Sequence, residues 1–234
     1  MVFAAGKGVR MMPLTAHTPK PMLEVAGQPL LGHMLDRFAQ AGVENVVVNA
    51  HHLPDIIAGY LPRRTTPKNL ILSREQELLE TGGGVRFALE HNRLSTREPF
   101  YGANADILWT DGATPALNRL AQEWQRLGDA VDVLLLLVPM DKAWGLDSGK
   151  GDYAMNAQGQ LTRLSNPQAP YVYGGVQITR PALYDGYAAG ARFSNLEIFD
   201  AAQAKGRLYG LVHDGNWYHF STPESLPRFA ALTP

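Results

Sequence analysis

Five apolar residues, Met1 to Ala5, run straight into Gly6-Lys7-Gly8-Val9-Arg10-Met11-Met12-Pro13-Leu14-Thr15. A short apolar run reads as a strand. A strand that empties into a glycine-rich loop leaves bare backbone N–H groups at the C-terminal edge of a sheet, where they can wrap phosphate. Lys7, Arg10 and, after Thr18-Pro19, Lys20 supply cations to neutralise what the amides orient. Two common phosphate loops are excluded. The dinucleotide fingerprint needs a third glycine where Met11 stands, and the P-loop needs Ser or Thr where Gly8 follows Lys7.

The residues that follow repeat a strand–helix alternation. Leu30, Leu31, Met34, Leu35 and Phe38 recur at helical spacing, with Gly42 placed to close that helix. Asn45 to Asn49 reads as a buried strand, 54–60 as a short helix, and Leu70 to Ser73 as a strand. The pattern predicts an α/β fold of Rossmann-like, three-layer type: a mostly parallel mixed sheet with helices on both faces. Ligands of such sheets bind at the carboxyl ends of the strands, where the opening loop lies by construction.

Glu80-Thr81-Gly82-Gly83-Gly84 opens the next helix. Three helical glycines cost roughly 1 kcal/mol each, so something must benefit from the missing side chains. A flexible turn is one reading. The other is a flat ring and ribose lying against bare backbone. A strand at Phe100 to Ala103 then meets Asn104-Ala105-Asp106. A carboxylate at a strand end beside a phosphate loop suits Mg²⁺, which prefers one or two carboxylates plus phosphate oxygens and water. Thr114, before Pro115, is expected to cap the next helix, leaving Asp106 available. Asp111 reads as a turn residue and Trp109 as packing. Leu117 to Leu127 is an amphipathic helix, and Val131 to Val138 a strand buried on both faces.

From Met140 the character changes. A second glycine-rich loop, 149–152, precedes short strands at Tyr153 to Met155 and Leu161 to Leu164, separated by a turn at Asn156 to Gly159. Tyr171 to Ile178 is a strand with Gly174 and Gly175 inside it, and interior glycines mark close approach of a ligand or another backbone. Phe193 to Ala204 reads as a helix and Leu208 to His213 as a strand. Trp217-Tyr218-His219-Phe220-Ser221 leads into a last helix carrying Leu226, Phe229 and Ala230.

The opening string, followed by Pro19-Lys20-Pro21-Met22, resembles the signature of sugar-1-phosphate nucleotidylyltransferases, with Met22 in the place of the usual Leu. That resemblance implies transfer of a nucleotidyl group from a nucleoside triphosphate to a sugar 1-phosphate, with release of pyrophosphate. It implies Mg²⁺ as cofactor, with Mn²⁺ as an alternative. Arg10, Lys20 and Asp106 are the implied catalytic residues. Ala4, Ala5, Gly6, Lys7, Gly8, Glu80, Thr81, Gly82, Gly83 and Asn104 would bind the nucleotide. Gly151, Asp152, Tyr173, Gly174 and Gly175 would bind the sugar phosphate. The family's second metal carboxylate falls at His219, and its following glycine at Ser221. His219 is therefore expected either to ligate metal or to meet phosphate as a cation.

Length and the Leu79-Glu80-Thr81-Gly82-Gly83-Gly84 string most resemble the short bacterial N-acetylmuramate α-1-phosphate uridylyltransferases of cell-wall recycling, which lack a C-terminal β-helix. Mannose-1-phosphate guanylyltransferases share the opening signature and are the alternative. A nucleotide-sugar sensor without turnover is the alternative of another class.

The 234 residues suit one domain, with 1–138 mainly nucleotide-binding and 139–234 mainly sugar-phosphate-binding. The family usually has a few residues before the first strand, so a longer lead-in is expected in a full-length chain. A net charge of −1 gives no general pull toward nucleic acid or anionic membrane. The absence of cysteine excludes disulfides, thiolate metal sites and a Cys nucleophile, and is compatible with the cytoplasm. No apolar run is long enough to span a bilayer, and no signal peptide is visible. The seven histidines form no zinc-like spacing. Beyond the substrates, the expected partner is a second copy of the chain in a weak homodimer.

Overall fold

The computed structural model describes residues 1–146, 149–164 and 169–232; in the last helix the side chains of 228 and 230–232, the expected Ala230 among them, lie outside the described residues. The first half contains β1 (Val2–Phe3), β2 (Glu24–Val25), β3 (Gln28–Pro29), α1 (Leu30–Gln40), β4 (Asn45–Ala50), α2 (Pro54–Tyr60), β5 (Asn69–Arg74) and α3 (Glu80–Glu90). Then come β6 (Phe100–Asn104), β7 (Ile107–Trp109), α4 (Ala116–Leu127), β8 (Val133–Pro139) and β9 (Ala143–Trp144). The remainder is β10 (Tyr153–Met155), β11 (Leu161–Arg163), β12 (Tyr171–Thr179), α5 (Asn195–Ala204), β13 (Leu208–Val212), β14 (Trp217–His219) and α6 (Ser225–Leu232).

The main sheet runs β11-β10-β12-β6-β1-β4-β5, with β8 also beside β12 and β13 beside β8. Strands β6, β1, β4 and β5 are parallel neighbours, whereas β12 lies antiparallel to β6, β8 and β10. Side-chain alternation decides which face each residue serves. In β8, Leu134, Leu136 and Val138 join the core under α1, α2 and α4, while Val133, Leu135 and Leu137 join the core under α3 and α5. Val46 and Val48 of β4 go to the first core and Val47 to the second. The three layers expected from the sequence are therefore present. Helix α1 buries Leu30, Leu31, Met34, Leu35 and Phe38, each side chain contributing about 1.5–3 kcal/mol of transfer free energy.

A second, three-stranded sheet, β7-β14-β9, was not expected. Its strands have two or three residues each, too few to show a period of two in the sequence. It covers a third core of Met11, Leu23, Val25, Leu30, Leu108, Tyr218, Phe220 and Phe229, which joins the opening loop to the last helix. Gly145, at φ +80°, turns the chain beside this sheet, and a Cβ there would meet the His219 carbonyl oxygen at 2.1 Å. Only glycine fits both the backbone angle and the space.

Two boundary expectations are corrected. Asp111, not Thr114, caps α4: its Oδ1 accepts the Ala116 N–H at 2.8 Å and the Trp109 indole N–H at 2.9 Å. Its other oxygen pairs with Arg37 Nη1 at 2.5 Å, so this carboxylate ties three elements together. Helix α5 starts at Asn195 rather than Phe193, because Ser194 caps it and the Phe193 carbonyl accepts the N–H groups of Gly82 and Gly83 at 3.0 Å each.

Candidate active site

A cleft of about 480 Å³ opens at the C-terminal ends of β1, β4 and β6. Its floor is Phe3 to Gly6 together with Asn104 to Asp106, and its walls carry Gly8, Arg10, Lys20, Asn49, Glu80, Thr81 and Ser221.

The opening loop is fixed by its own hydrogen bonds. Gly8 takes φ +62°, and its carbonyl accepts from the Met11 N–H at 2.9 Å and the Thr15 hydroxyl at 2.8 Å. Met11 is fully buried in the third core, so the loop is anchored where Arg10 leaves it. Lys20 begins a 3₁₀ turn between Pro19 and Pro21, whose Met22 N–H bonds the Pro19 carbonyl at 2.8 Å. This rigid turn sends the ammonium group to Asp106, with Nζ 2.6 Å from Oδ2.

The same oxygen lies 3.4 Å from His219 Nε2. The small sheet produces this approach. β14 pairs with β7 so that His219 faces Ile107, and the Phe220 N–H donates to the Asp106 carbonyl at 2.9 Å. Burial alone would raise the Asp106 pKa. The hydrogen bond from His219 and the positive charge of Lys20 outweigh it and hold the carboxyl well below the usual carboxylate range. Asp106 is therefore an anion throughout the neutral range.

Among the described residues no group of three or more His, Cys, Asp and Glu could hold a metal. A single carboxylate with an imidazole beside it does fit Mg²⁺ that takes its other ligands from phosphate and water. It does not fit a cage built from protein alone.

Of the residues expected to bind nucleotide, Ala4, Ala5, Gly6, Gly8, Glu80, Thr81 and Asn104 line the cleft, and Lys7 is exposed on the loop outside it. Gly82 and Gly83 are also outside it. A Cβ on Gly82 would meet the Phe193 ring at 2.4 Å, and one on Gly83 the Ala191 carbonyl at 2.3 Å. Their missing side chains make room for the segment before α5. Glu80 itself has φ +64°, a left-handed backbone at the cleft wall, and its carboxylate pairs with Arg192 at 3.0 Å.

The residues expected to bind the sugar phosphate are placed differently. Asp152 accepts the Tyr173 N–H at 2.9 Å, the Tyr173 hydroxyl donates to Gln177 at 2.7 Å, and the Gly174 carbonyl accepts the Trp217 indole N–H at 2.9 Å. A Cβ on Gly151 would strike the Ala169 carbonyl at 2.2 Å. These four serve packing around β12. Gly175, at φ +74°, backs onto the cleft residue Asn104: a Cβ there would lie 3.2 Å from the Asn104 Nδ2. A second cavity of about 340 Å³ lies on the other side of His219 and Ser221, with Trp144, Tyr218 and Glu224 in its lining.

Sequence reasoning missed Asn49, Ser194 and Ser221 as cleft residues. Asn49 left a signal, a polar side chain at the end of an otherwise apolar strand, and Ser221 left one as the departure from the resembled family's glycine.

Known proteins resemble this chain over nearly its whole length. The N-acetylmuramate α-1-phosphate uridylyltransferase of Caulobacter vibrioides is 36% identical over 96% of this chain and 92% of its own. That of Neisseria meningitidis serogroup B is 32% identical over 99% and 96%. The mannose-1-phosphate guanylyltransferase of Mycobacterium tuberculosis is 30% identical over 99% of this chain and 63% of its own. Among solved structures, a glucose-1-phosphate thymidylyltransferase described as putative, from Bacillus anthracis, superposes with a TM-score of 0.79 at 15% identity, covering 99% of this chain and 93% of that one. Residues 1–136 match the MobA-like NTP transferase domain, and the chain belongs to that family.

Proposed function

We propose that the protein transfers a nucleotidyl group from a nucleoside triphosphate to a sugar 1-phosphate, and that uridine triphosphate with N-acetylmuramate α-1-phosphate is the best substrate pair, in cell-wall recycling. The observation that carries the reading is the convergence, in one cleft at the strand ends, of a glycine loop, a cation held by two prolines and a carboxylate kept ionised. The two uridylyltransferase relatives, each matched over more than nine-tenths of both chains, favour that substrate pair.

The acceptor is already an anion, so no protein nucleophile is needed. A phosphate oxygen of the sugar 1-phosphate attacks the α-phosphorus, the bond to the bridging oxygen breaks, and pyrophosphate leaves with the electron pair. The difficulty is to align two polyanions and stabilise charge at the transferring phosphorus, which positioning and fixed charges achieve. The Gly6 and Gly8 amides orient phosphate, Arg10 holds the leaving β- and γ-phosphates, and Lys20 stands between the α-phosphate and the incoming sugar phosphate. Asp106 would hold Mg²⁺, which when bound neutralises charge on the phosphates. Lys20 would then exchange part of its contact with Asp106 for phosphate oxygen. The sugar enters from the His219 side, where the second cavity and the half-exposed Trp144 ring offer room.

The test is magnesium-dependent pyrophosphate release with a panel of triphosphates and sugar 1-phosphates. A preference for guanosine triphosphate with mannose 1-phosphate would move the assignment to the guanylyltransferases. Binding without turnover for every pair would refute the enzyme reading.

A further inference from the structure

The two walls of the cleft are joined by a pair of buried side chains, one of which, Asn49, also lines it. Asn49, the fifth residue of β4, accepts the Ala4 N–H on Oδ1 at 2.7 Å and donates through Nδ2 to Glu75 Oε1 at 2.7 Å. The other oxygen of Glu75 accepts the Leu79 N–H at 3.3 Å. Asn49 is 2% exposed and Glu75 3%. One end of this chain of bonds grips the exit of β1, which becomes the phosphate loop. The other grips the residue before Glu80 and Thr81, which form the opposite wall. Gly84 supplies a separate indication that the pair is accommodated by the sequence around it. A Cβ there would lie 2.7 Å from Glu75 Oε1 and 2.8 Å from Asn49 Nδ2. The third glycine of the triplet thus leaves space for the pair.

A buried carboxylate is costly without partners. Burial pushes the Glu75 carboxyl up, against the lowering effect of its bonds from Asn49 and Leu79. Hydrophobic packing could have filled this place. A polar tie instead fixes direction and length, because each bond has a narrow optimum.

We infer that Asn49 and Glu75 are a positioning pair that sets the separation of the phosphate loop from the Leu78–Thr81 wall, and so the affinity of the slot for the nucleotide. The inference rests on the nucleotidyl-transfer reading for its ligand, but the tie can be tested apart from it.

The test uses Asn49→Asp, Glu75→Gln and the double variant. Asn49→Asp sets two carboxylates against each other. Glu75→Gln lets the amide satisfy either Asn49 or Leu79, not both. The double variant restores every bond with its direction reversed in the middle. The carboxylate at 49 takes the Ala4 N–H and an amide hydrogen from the glutamine, whose carbonyl oxygen takes the Leu79 N–H. Each single variant is expected to raise the Kd for uridine triphosphate by about tenfold, the effect of one lost buried hydrogen bond. The double variant should return to within about threefold of wild type. The KM for the sugar 1-phosphate should stay within about twofold throughout, which a general loss of structure would not allow.

A double variant no better than the worse single overturns the tie, as does a sugar-phosphate KM that rises in step with the nucleotide Kd. If Asn49→Asp fails to fold, Glu75→Gln and the double variant carry the comparison. If wild type binds no triphosphate, the functional reading fails alone, and the tie is read from hydrogen exchange in the free protein. Amides of 4–6 and 78–81 should exchange faster in the singles and at the wild-type rate in the double. Unchanged exchange in the singles overturns it.

Discussion

Replacing Gly84 by alanine sets two known effects against each other. Gly84 lies inside α3, and glycine in a helix is worse than alanine by about 1 kcal/mol, so propensity favours the change. The space does not. The added carbon would sit 2.7 Å and 2.8 Å from two buried polar atoms that are themselves bonded at 2.7 Å. Ordinary contact needs more than half an ångström beyond that, and neither side chain can swing to solvent. Moving either breaks the Asn49–Glu75 bond and leaves buried groups without partners, costing about 1–3 kcal/mol. Overpacking strain adds about 1–3 kcal/mol. After the propensity gain, a net loss of about 1–5 kcal/mol is expected. For a domain of this size that is a fall in Tm of roughly 2–20 °C.

Gly59 is the control. It lies in α2, is exposed, and has nothing within 4 Å of where an added Cβ would point, so Gly59→Ala should gain up to about 1 kcal/mol. Urea titrations with unchanged slope measure both. If Gly84→Ala matched Gly59→Ala in gaining stability, the argument from space would be refuted.

Asp106→Asn should reduce turnover by at least about 10³-fold, while the ion pair's partial exposure limits the stability loss to about 1 kcal/mol, or roughly 2–4 °C in Tm; a variant with wild-type turnover removes Asp106 from the chemistry. Lys20→Ala and Arg10→Ala should each lower kcat/KM by about 10²–10³, and Lys20→Ala should also raise the sugar-phosphate KM; a change confined to the triphosphate KM would end the bridging role. His219→Asp adds a second carboxylate beside Asp106 and should reduce the Mg²⁺ concentration for half-maximal rate by about tenfold or more; an unchanged metal titration would place His219 outside the metal's reach. His213 is 1% exposed and burial lowers its pKa, so the unfolded chain takes up its proton first as pH falls. Stability should therefore drop below the ordinary imidazole range by at most about 1.4 kcal/mol per pH unit until the folded pKa is reached; urea titrations at several pH values should show this slope in wild type and lose it in His213→Gln.

Much of this was legible because local rules decide it. The α1 stripe, the unbroken apolar run of β8 and the glycine–cation string each declare their structure within a dozen residues. The pairing of Lys20 with Asp106 was legible only by resemblance, since the two are 86 residues apart. Asn49 and Glu75 are 26 apart, and nothing in either local sequence announces the other. The glycine triplet was visible, but the protein atoms packed beside it were not, because which atoms fill the space beside a missing side chain is a tertiary fact. Asp111 displaced Thr114 as a cap for the same reason: its carboxylate also satisfies Trp109 and Arg37, and Arg37 lies 74 residues away, outside any window around α4.

The three-residue strand β14 has a bearing on how this site can change. The place where the imidazole of His219 stands is defined by main-chain bonds to β7 and by the Phe220 N–H on the Asp106 carbonyl. None of these involves the side chain at 219. Trp217, two residues earlier, is held separately by the Gly174 carbonyl. Position 219 is therefore a socket whose address is written in backbone, and its occupant can be exchanged without re-aiming it. A carboxylate, an amide or an imidazole plugged in there would face Asp106 from the same Cα. One fold can in this way try different metals, pH ranges or phosphate contacts through single substitutions, with the rest of the cleft undisturbed.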